Sequence, residues 1–186
     1  DNTDRRFALA AFHIDDWNQE LTPWEMPLLH GKGRFGSGAA GTLDWMCRHL
    51  LPHCTERLGM VQGKARCLLG GYSLAGLFAL WSGYQTDQFC GVAGVSPSVW
   101  YEGWLEFAAK SSLHAESVYL SLGTKEENAK HPVLAQIGHR IREYAHILAD
   151  ADRAPRHVLE WNEGGHFSDS DTRTAKGFLW LLQNGG

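Results

Sequence analysis

The chain contains 186 residues, of which 44% are hydrophobic, and it carries a formal net charge of -4. This length supports one sizeable core and leaves little room for a second, so we expect residues 1–186 to form a single domain. A weakly acidic chain lacks the excess of basic residues that nucleic-acid-binding surfaces require, and no apolar run approaches the ~20 residues needed to span a bilayer. We therefore expect neither a nucleic-acid partner nor a membrane partner.

The four cysteines indicate neither a metal site nor a disulfide framework. Cys47, Cys54, Cys67 and Cys90 form no Cys-x-x-Cys pair, which argues against structural zinc. Cys47 and Cys54 lie two turns apart along a predicted helix, a poor spacing for a local disulfide. No secretory h-region opens the sequence, and it contains no Asn-x-Ser/Thr sequon. We expect reduced thiols, a cytoplasmic location and no cofactor.

The first third of the chain predicts one strand, one loop and one helix. Residues 7–12 form a short apolar run of strand length. Residues 18–38 are interrupted by prolines and glycines and predict a long irregular loop. Apolar positions recur at helical spacing from residue 39 to about residue 58, where Pro52 is expected to kink or divide the helix.

The remainder of the chain alternates short apolar strands with helices. The predicted strands cover residues 65–69, 91–95, 118–122 and 158–161, and the predicted helices cover residues 74–83, 133–148 and 173–182. This alternation is typical of a parallel sheet that is covered by helices on both faces. The fold class is therefore α/β, with three layers.

A glycine-flanked serine follows the strand at residues 65–69 and directly precedes a helix. The segment reads Gly71-Tyr72-Ser73-Leu74-Ala75, close to the Gly-x-Ser-x-Gly turn that exposes a nucleophilic serine. Alanine stands in the last position, where it is the least intrusive substitute for glycine. The turn would place the Leu74 amide at a helix N-terminus, where it can stabilise an oxyanion. The alternative is a tight turn that contains a serine without chemical purpose.

A serine hydroxyl needs a general base, and His166 is the best placed of ten histidines. In chains of this order the base follows the final strand, and His166 comes directly after the strand that ends at Trp161. The two glycines before His166 allow the loop to turn its ring over the sheet edge. His139 and His146 fall on an amphipathic helix and are expected to face solvent.

The third catalytic group should be an acid on the loop after the penultimate strand. Glu126 follows the strand-ending Gly123 at a spacing that suits a tight turn, and we favour it over its neighbour Glu127. The alternative is that both glutamates are solvated charges at a helix N-terminus.

Together these residues resemble the putative-esterase branch of the α/β-hydrolases, which includes the esterase D-like proteins and the enterochelin esterases. The resemblance extends from about Trp17 to Trp180. It rests on Trp17-Asn18-x-x-Leu21-x-Pro23-Trp24, Gly71-Tyr72-Ser73-Leu74-Ala75-Gly76-Leu77-Phe78-Ala79-Leu80, Val95-Ser96-Pro97-Ser98-Val99-Trp100 and Gly165-His166-Phe167.

The resemblance implies a hydrolase of small-molecule carboxylic esters or thioesters that uses Ser73, an acid and His166. It also implies that the segment from Ser96 to Trp100 borders the active site. Eight tryptophans, several in predicted loops, are compatible with aromatic pocket walls or with ordinary packing. The expected pocket residues are Trp17, Trp24, Tyr72, Ser96 and Trp100.

The second oxyanion donor is the feature that this chain does not supply in the usual place. Relatives carry it after an earlier strand, so either that strand lies upstream of Asp1 or the turn from Asp15 to Asn18 substitutes, with the Trp17 amide as donor.

The sequence favours a serine ester hydrolase that forms an acyl-enzyme. The alternatives are a thioesterase or acyltransferase with the same residues, and a catalytically silent binding protein of the same fold.

Overall fold

A computed structural model describes residues 7–59, 66–150 and 155–184. Its strands are β1 (Met26–Pro27), β2 (Arg34–Phe35), β3 (Cys67–Tyr72), β4 (Phe89–Val95), β5 (Ser117–Gly123) and β6 (Arg156–Asn162). Strands β3 to β6 form a parallel sheet in the spatial order β3-β4-β5-β6, and β1 and β2 form a separate antiparallel pair. Each parallel strand is thus hydrogen-bonded to its neighbour in sequence.

Helices fill the connections between the strands. They are α1 (Trp17–Glu20), α2 (Ala39–Trp45), α3 (Leu51–Arg57), α4 (Leu74–Gln85), α5 (Trp104–Lys110), α6 (Pro132–Ala135), α7 (Ile137–Asp150) and α8 (Ser170–Asn184). A π-helical segment, Met46–Leu50, joins α2 to α3, and Pro52 lies in the first turn of α3. The predicted helix is therefore divided just before Pro52, where a π-helical segment replaces the α-helical hydrogen-bond pattern. Pro52 is tolerated because a residue in the first turn of a helix needs no N–H donor.

The sheet is covered on both faces, which confirms the predicted three-layer α/β arrangement. On one face Leu80 of α4 packs against Gly94 of β4, and on the other Gly177 of α8 packs against Tyr119 of β5. Every residue of β5 is buried, as expected for a central strand between two helical layers. Among the helices of the described segments, none has both the length and the apolar character needed to cross a bilayer.

The predicted strand at residues 7–12 is wrong. These residues have no regular secondary structure, and Phe7 and Leu9 are exposed. A strand is stable only when a partner accepts its backbone hydrogen bonds, and this segment pairs with no described strand. The prediction for residues 65–69 is confirmed from Cys67 onward, since residue 65 lies outside the described residues.

Candidate active site

Ser73 occupies a strained turn between β3 and α4. Its φ of 59° and ψ of -119° lie in a region that residues other than glycine rarely adopt. The end of β4 holds this conformation, because the Ser73 N–H donates to the Val95 carbonyl at 3.0 Å and the Ser98 N–H donates to the Ser73 carbonyl at 3.1 Å. The serine hydroxyl is thereby presented at the carboxyl edge of the sheet.

The contacts around this turn explain why alanine is accepted in place of the second motif glycine. A Cβ atom on Gly71 would lie 2.4 Å from the Ala75 carbonyl oxygen and 2.6 Å from the Ala75 Cβ. Strand and helix can therefore approach each other only because position 71 lacks a side chain, and the closest contact, to a backbone oxygen, would be the same with glycine at position 75. The departure at Ala75 leaves the geometry of the turn intact.

The structure brings the three predicted side chains of Ser73, His166 and Glu126 into one hydrogen-bonded line. His166 Nε2 lies 3.1 Å from Ser73 Oγ, and His166 Nδ1 lies 2.8 Å from Glu126 Oε2. Glu126 stands in a 3₁₀ turn after β5 and His166 in the loop after β6. The carboxyl ends of parallel strands meet at one sheet edge, so residues distant in sequence converge there.

The two candidate acids have different surroundings. Glu127 turns away from His166, and its carboxylate accepts from the Arg142 guanidinium at 3.0 Å in a partly exposed ion pair. The Glu126 side chain is only 4% exposed. The structure thus brings Glu126 to the imidazole, and Glu127 helps to fasten the 3₁₀ turn to α7.

Four donors surround the Glu126 carboxylate. Besides the imidazole at Oε2, its Oε1 atom accepts from the Ser96 hydroxyl at 2.7 Å, the Gly123 amide at 2.7 Å and Arg173 Nη2 at 2.9 Å. Burial by itself would raise the pKa of Glu126, but the hydrogen bonds from the imidazole, the hydroxyl, the guanidinium and the amide outweigh it and lower the pKa to about 2. Glu126 is therefore ionised at neutral pH.

The ionised carboxylate determines which tautomer His166 adopts. A carboxylate only accepts hydrogen bonds, so the proton of a neutral His166 ring must be on Nδ1. Nε2 then carries a lone pair, which accepts from the Ser73 hydroxyl. This arrangement can move a proton from Ser73 to His166.

Arg173 is a further member of this cluster, and sequence reasoning missed it. Its side chain is 2% exposed at the start of α8, where it donates to both Ser96 and Glu126. Its other terminal nitrogen donates to the carbonyls of Gly165 at 3.1 Å and Ser168 at 3.3 Å, on either side of His166. A single arginine in a helical segment gives no sequence signal for such a role.

Tyr72, which was expected in the pocket, supports His166 from behind. Its hydroxyl donates to the His166 carbonyl at 2.6 Å, and the two rings lie 5.4 Å apart. The Arg173 guanidinium lies 5.5 Å from the centre of the Tyr72 ring, a distance that allows a cation–π contact. Burial raises the pKa of the Tyr72 hydroxyl, which keeps it protonated as a donor.

A cavity of about 510 Å³ opens over Ser73, a size typical of small-molecule sites. Of the five expected pocket residues, Ser96 and Trp100 line it. The expectation is corrected for the other three. Tyr72 lies behind His166, Trp17 is exposed outside this cavity, and the Trp24 indole packs against Tyr101 and donates to the Glu102 carbonyl at 2.8 Å. The aromatic content alone could not show on which side of a loop each ring lies.

One backbone N–H without a helical acceptor directly follows Ser73. Leu74 is the first residue of α4, where its N–H has no helical carbonyl to meet. Asn18 of α1, not Trp17, lines the same cavity, and its side-chain amide makes no hydrogen bond within the described segments. Elsewhere the four cysteines form no disulfide, and no three described metal-binding side chains are grouped to hold an ion.

The parallel sheet, with a serine turn at the carboxyl end of one strand and helices on both faces, defines an α/β-hydrolase-type fold. Solved structures of three hydrolases share it. Siderophore hydrolase EstB from Aspergillus nidulans matches with a TM-score of 0.69 and 20% identity, over 87% of this chain and 63% of that one. An IroE-like serine hydrolase from Shewanella oneidensis matches with a TM-score of 0.75 and 18% identity, over 92% of this chain and 58% of that one.

The enterobactin esterase FES from Shigella flexneri is similar over 77% of this chain and 38% of its own, with a TM-score of 0.62 and 20% identity. This chain therefore spans about 60% of the length of the first two structures and less of the third. No protein-family model matches the chain, and no curated protein is similar to it in sequence. Identities at this level establish a shared fold.

Proposed function

We propose that this protein is a serine hydrolase that cleaves a small-molecule carboxylic ester. In this proposal Ser73 is the nucleophile, His166 is the general base and Glu126 orients the imidazole. The observation that carries it is the 3.1 Å approach of His166 Nε2 to the hydroxyl of a serine held in a strained turn. The fold shared with a siderophore hydrolase, an IroE-like serine hydrolase and an enterobactin esterase supports ester hydrolysis.

The reaction proceeds through an acyl-enzyme. Ser73 Oγ attacks the ester carbonyl carbon while its proton passes to His166 Nε2, and the resulting imidazolium is stabilised by Glu126. The tetrahedral intermediate then expels the alcohol, which takes the proton from Nε2. Water attacks the acyl-enzyme in the same manner, and His166 again transfers the proton, so that the acid is released and Ser73 is restored.

The negative oxygen of the tetrahedral intermediate needs donors in place before it forms. The Leu74 N–H supplies one, and we assign the second to the side-chain amide of Asn18, which lines the cavity without another partner. This assignment replaces the Trp17 amide as the candidate within the turn from Asp15 to Asn18.

Active-site labelling tests the proposal directly. A fluorophosphonate probe should label the parent at Ser73, and the parent should hydrolyse p-nitrophenyl acetate. Ser73→Ala should lose both labelling and turnover, whereas Ser111→Ala, outside the cavity, should retain both. A parent that is neither labelled nor active, or a Ser73→Ala variant as active as the parent, would exclude a serine hydrolase and leave a binding protein of this fold.

A further inference from the structure

The walls of the cavity over Ser73 are hydrocarbon. Three elements contribute to them: the hairpin of β1 and β2, the loop after β4, and the junction of α6 with α7. The apolar side chains that line the cavity include Leu28, Leu29, Phe35, Trp100, Leu134 and Ile137. Phe35 and Ile137 belong to the buried core, so part of the cavity wall is fixed by core packing.

The polar groups of the cavity are already committed to one another. Ser73, His166, Glu126 and Ser96 are hydrogen-bonded in the line described above. The charge of Glu126 is balanced by Arg173, which is buried behind it and does not line the cavity. Only Asn18 and His30 remain as polar lining residues, and neither lysine nor arginine lines this cavity within the described part of the chain.

An anionic substrate would therefore lose its hydration in this cavity without gaining a lysine or arginine partner from the described lining residues. An unpaired carboxylate is costly to bury, whereas hydrocarbon gains from leaving water. The walls thus favour an uncharged group and disfavour an anionic one.

The position of His166 indicates which half of the ester meets these walls. The alcohol takes its proton from Nε2 of this ring, so it leaves on the His166 side of Ser73. The next residue, Phe167, is 94% exposed at the edge of the cavity, so that side opens to solvent. The remaining walls, which include the buried side chains of Phe35 and Ile137, are then available for the acyl half.

We propose that the substrate is a neutral ester with an apolar acyl chain, bound between the β1–β2 hairpin and the α6–α7 junction. This inference rests on the proposed function, since it names the substrate of the same site. Each added methylene buried against the walls should raise kcat/KM about fourfold, which corresponds to about 0.8 kcal/mol. Hexanoyl should therefore exceed acetyl by well over an order of magnitude.

The test compares p-nitrophenyl acetate, butyrate and hexanoate with the hemiadipate, whose acyl chain has the length of hexanoyl and ends in a carboxylate. Rates are corrected with Ser73→Ala for spontaneous hydrolysis. We expect kcat/KM to rise from acetate to hexanoate and the hemiadipate to fall at least about tenfold below hexanoate, because its carboxylate is desolvated without a lysine or arginine partner. A flat series, or a preference for the hemiadipate, would overturn the inference.

Charge placed in the wall provides an independent readout. Leu134→Lys should raise the ratio of hemiadipate to hexanoate turnover about tenfold, since the lysine can bond the carboxylate. The matched control is Leu58→Lys, which changes an exposed leucine that does not line the cavity. An equal ratio in both variants would count against an acyl site at this wall.

Fluorophosphonate labelling of Ser73, measured on the same samples, separates the two proposals. Labelling together with a flat acyl series removes the substrate inference and leaves the hydrolase. The absence of both labelling and turnover removes the hydrolase itself.

Discussion

Replacing Glu126 by glutamine tests the hydrogen-bonded line at its most constrained point. The Oε1 atom accepts from three donors and the Oε2 atom from the imidazole. A glutamine has one oxygen, so its NH₂ group must face either those three donors or His166. With the NH₂ group toward His166, the glutamine oxygen still accepts from the three donors, so this orientation loses fewer hydrogen bonds. His166 Nδ1 must then accept from the NH₂ group, which leaves the ring proton on Nε2, and Nε2 cannot accept the proton of Ser73.

The structure sets the expected size of the loss in kcat and of the loss in the free energy of unfolding. Loss of the correct tautomer in a serine triad costs about 10⁴-fold in kcat, and we expect a loss of about 10³- to 10⁴-fold in Glu126→Gln. The drop in the pKa of Glu126 from 4.5 to about 2 corresponds to about 3 kcal/mol of unfolding free energy at neutral pH. The variant should lose about that amount, since Arg173 also keeps its buried charge without an anionic partner.

The adjacent glutamate is the matched control. Glu127→Gln removes a charge one residue away, from a partly exposed pair with Arg142, and should change the free energy of unfolding by less than about 1 kcal/mol and leave kcat close to that of the parent. Steady-state hydrolysis of p-nitrophenyl esters and urea unfolding measure the two effects. The reasoning is refuted if Glu126→Gln keeps kcat within about tenfold of the parent, or if the two variants behave alike.

Four further predictions concern pH and the residues around this line. Because the pKa of Glu126 is lowered on folding, the stability that its ionised form contributes is present above pH 4.5 and is lost as the pH falls toward 2. Urea unfolding should show this loss in the parent and not in Glu126→Gln. Arg173→Met should lower the free energy of unfolding by about 3–5 kcal/mol, because it leaves a buried carboxylate without its cation, and a thermal melt close to that of the parent would contradict this. Gly71→Ala should abolish turnover, since its Cβ would lie 2.4 Å from the Ala75 carbonyl oxygen, whereas Ala75→Gly should remain active and lose about 1 kcal/mol, as measured by urea unfolding. Asn18→Ala should lower kcat about 100- to 1000-fold if its amide binds the oxyanion, and an unchanged kcat would remove it from that role.

The elements that build the sheet could be predicted because each has a strong local signal. The apolar runs of β4, β5 and β6 and the helical periodicity of α7 dictate their own structure, and their alternation dictates a parallel sheet. The strand predicted at residues 7–12 was wrong for the complementary reason. An apolar run has the capacity to form a strand, but only a partner strand makes it one, and the run itself carries no information about the partner.

The candidate site divides in the same way. Ser73, His166 and Glu126 each follow a predicted strand, and strand ends in a parallel sheet converge, so their juxtaposition can be expected from their order. The roles of Arg173 and Tyr72 depend instead on how α8 and β3 pack beneath the loop that carries His166. Those contacts are set by tertiary packing, which leaves no spacing rule in the sequence.

Arg173 explains how loops that belong to separate strands are held in one geometry. Ser96 follows β4, Glu126 follows β5 and the loop of His166 follows β6, and hydrogen bonds join Ser96 to Glu126 and Glu126 to His166. The planar guanidinium bonds to all three, through the hydroxyl of the first, the carboxylate of the second and two carbonyls of the third. A lysine offers a single charged atom and cannot span these directions. The alignment of Ser73 with His166 therefore depends on the docking of α8, the last helix of the chain, onto the sheet.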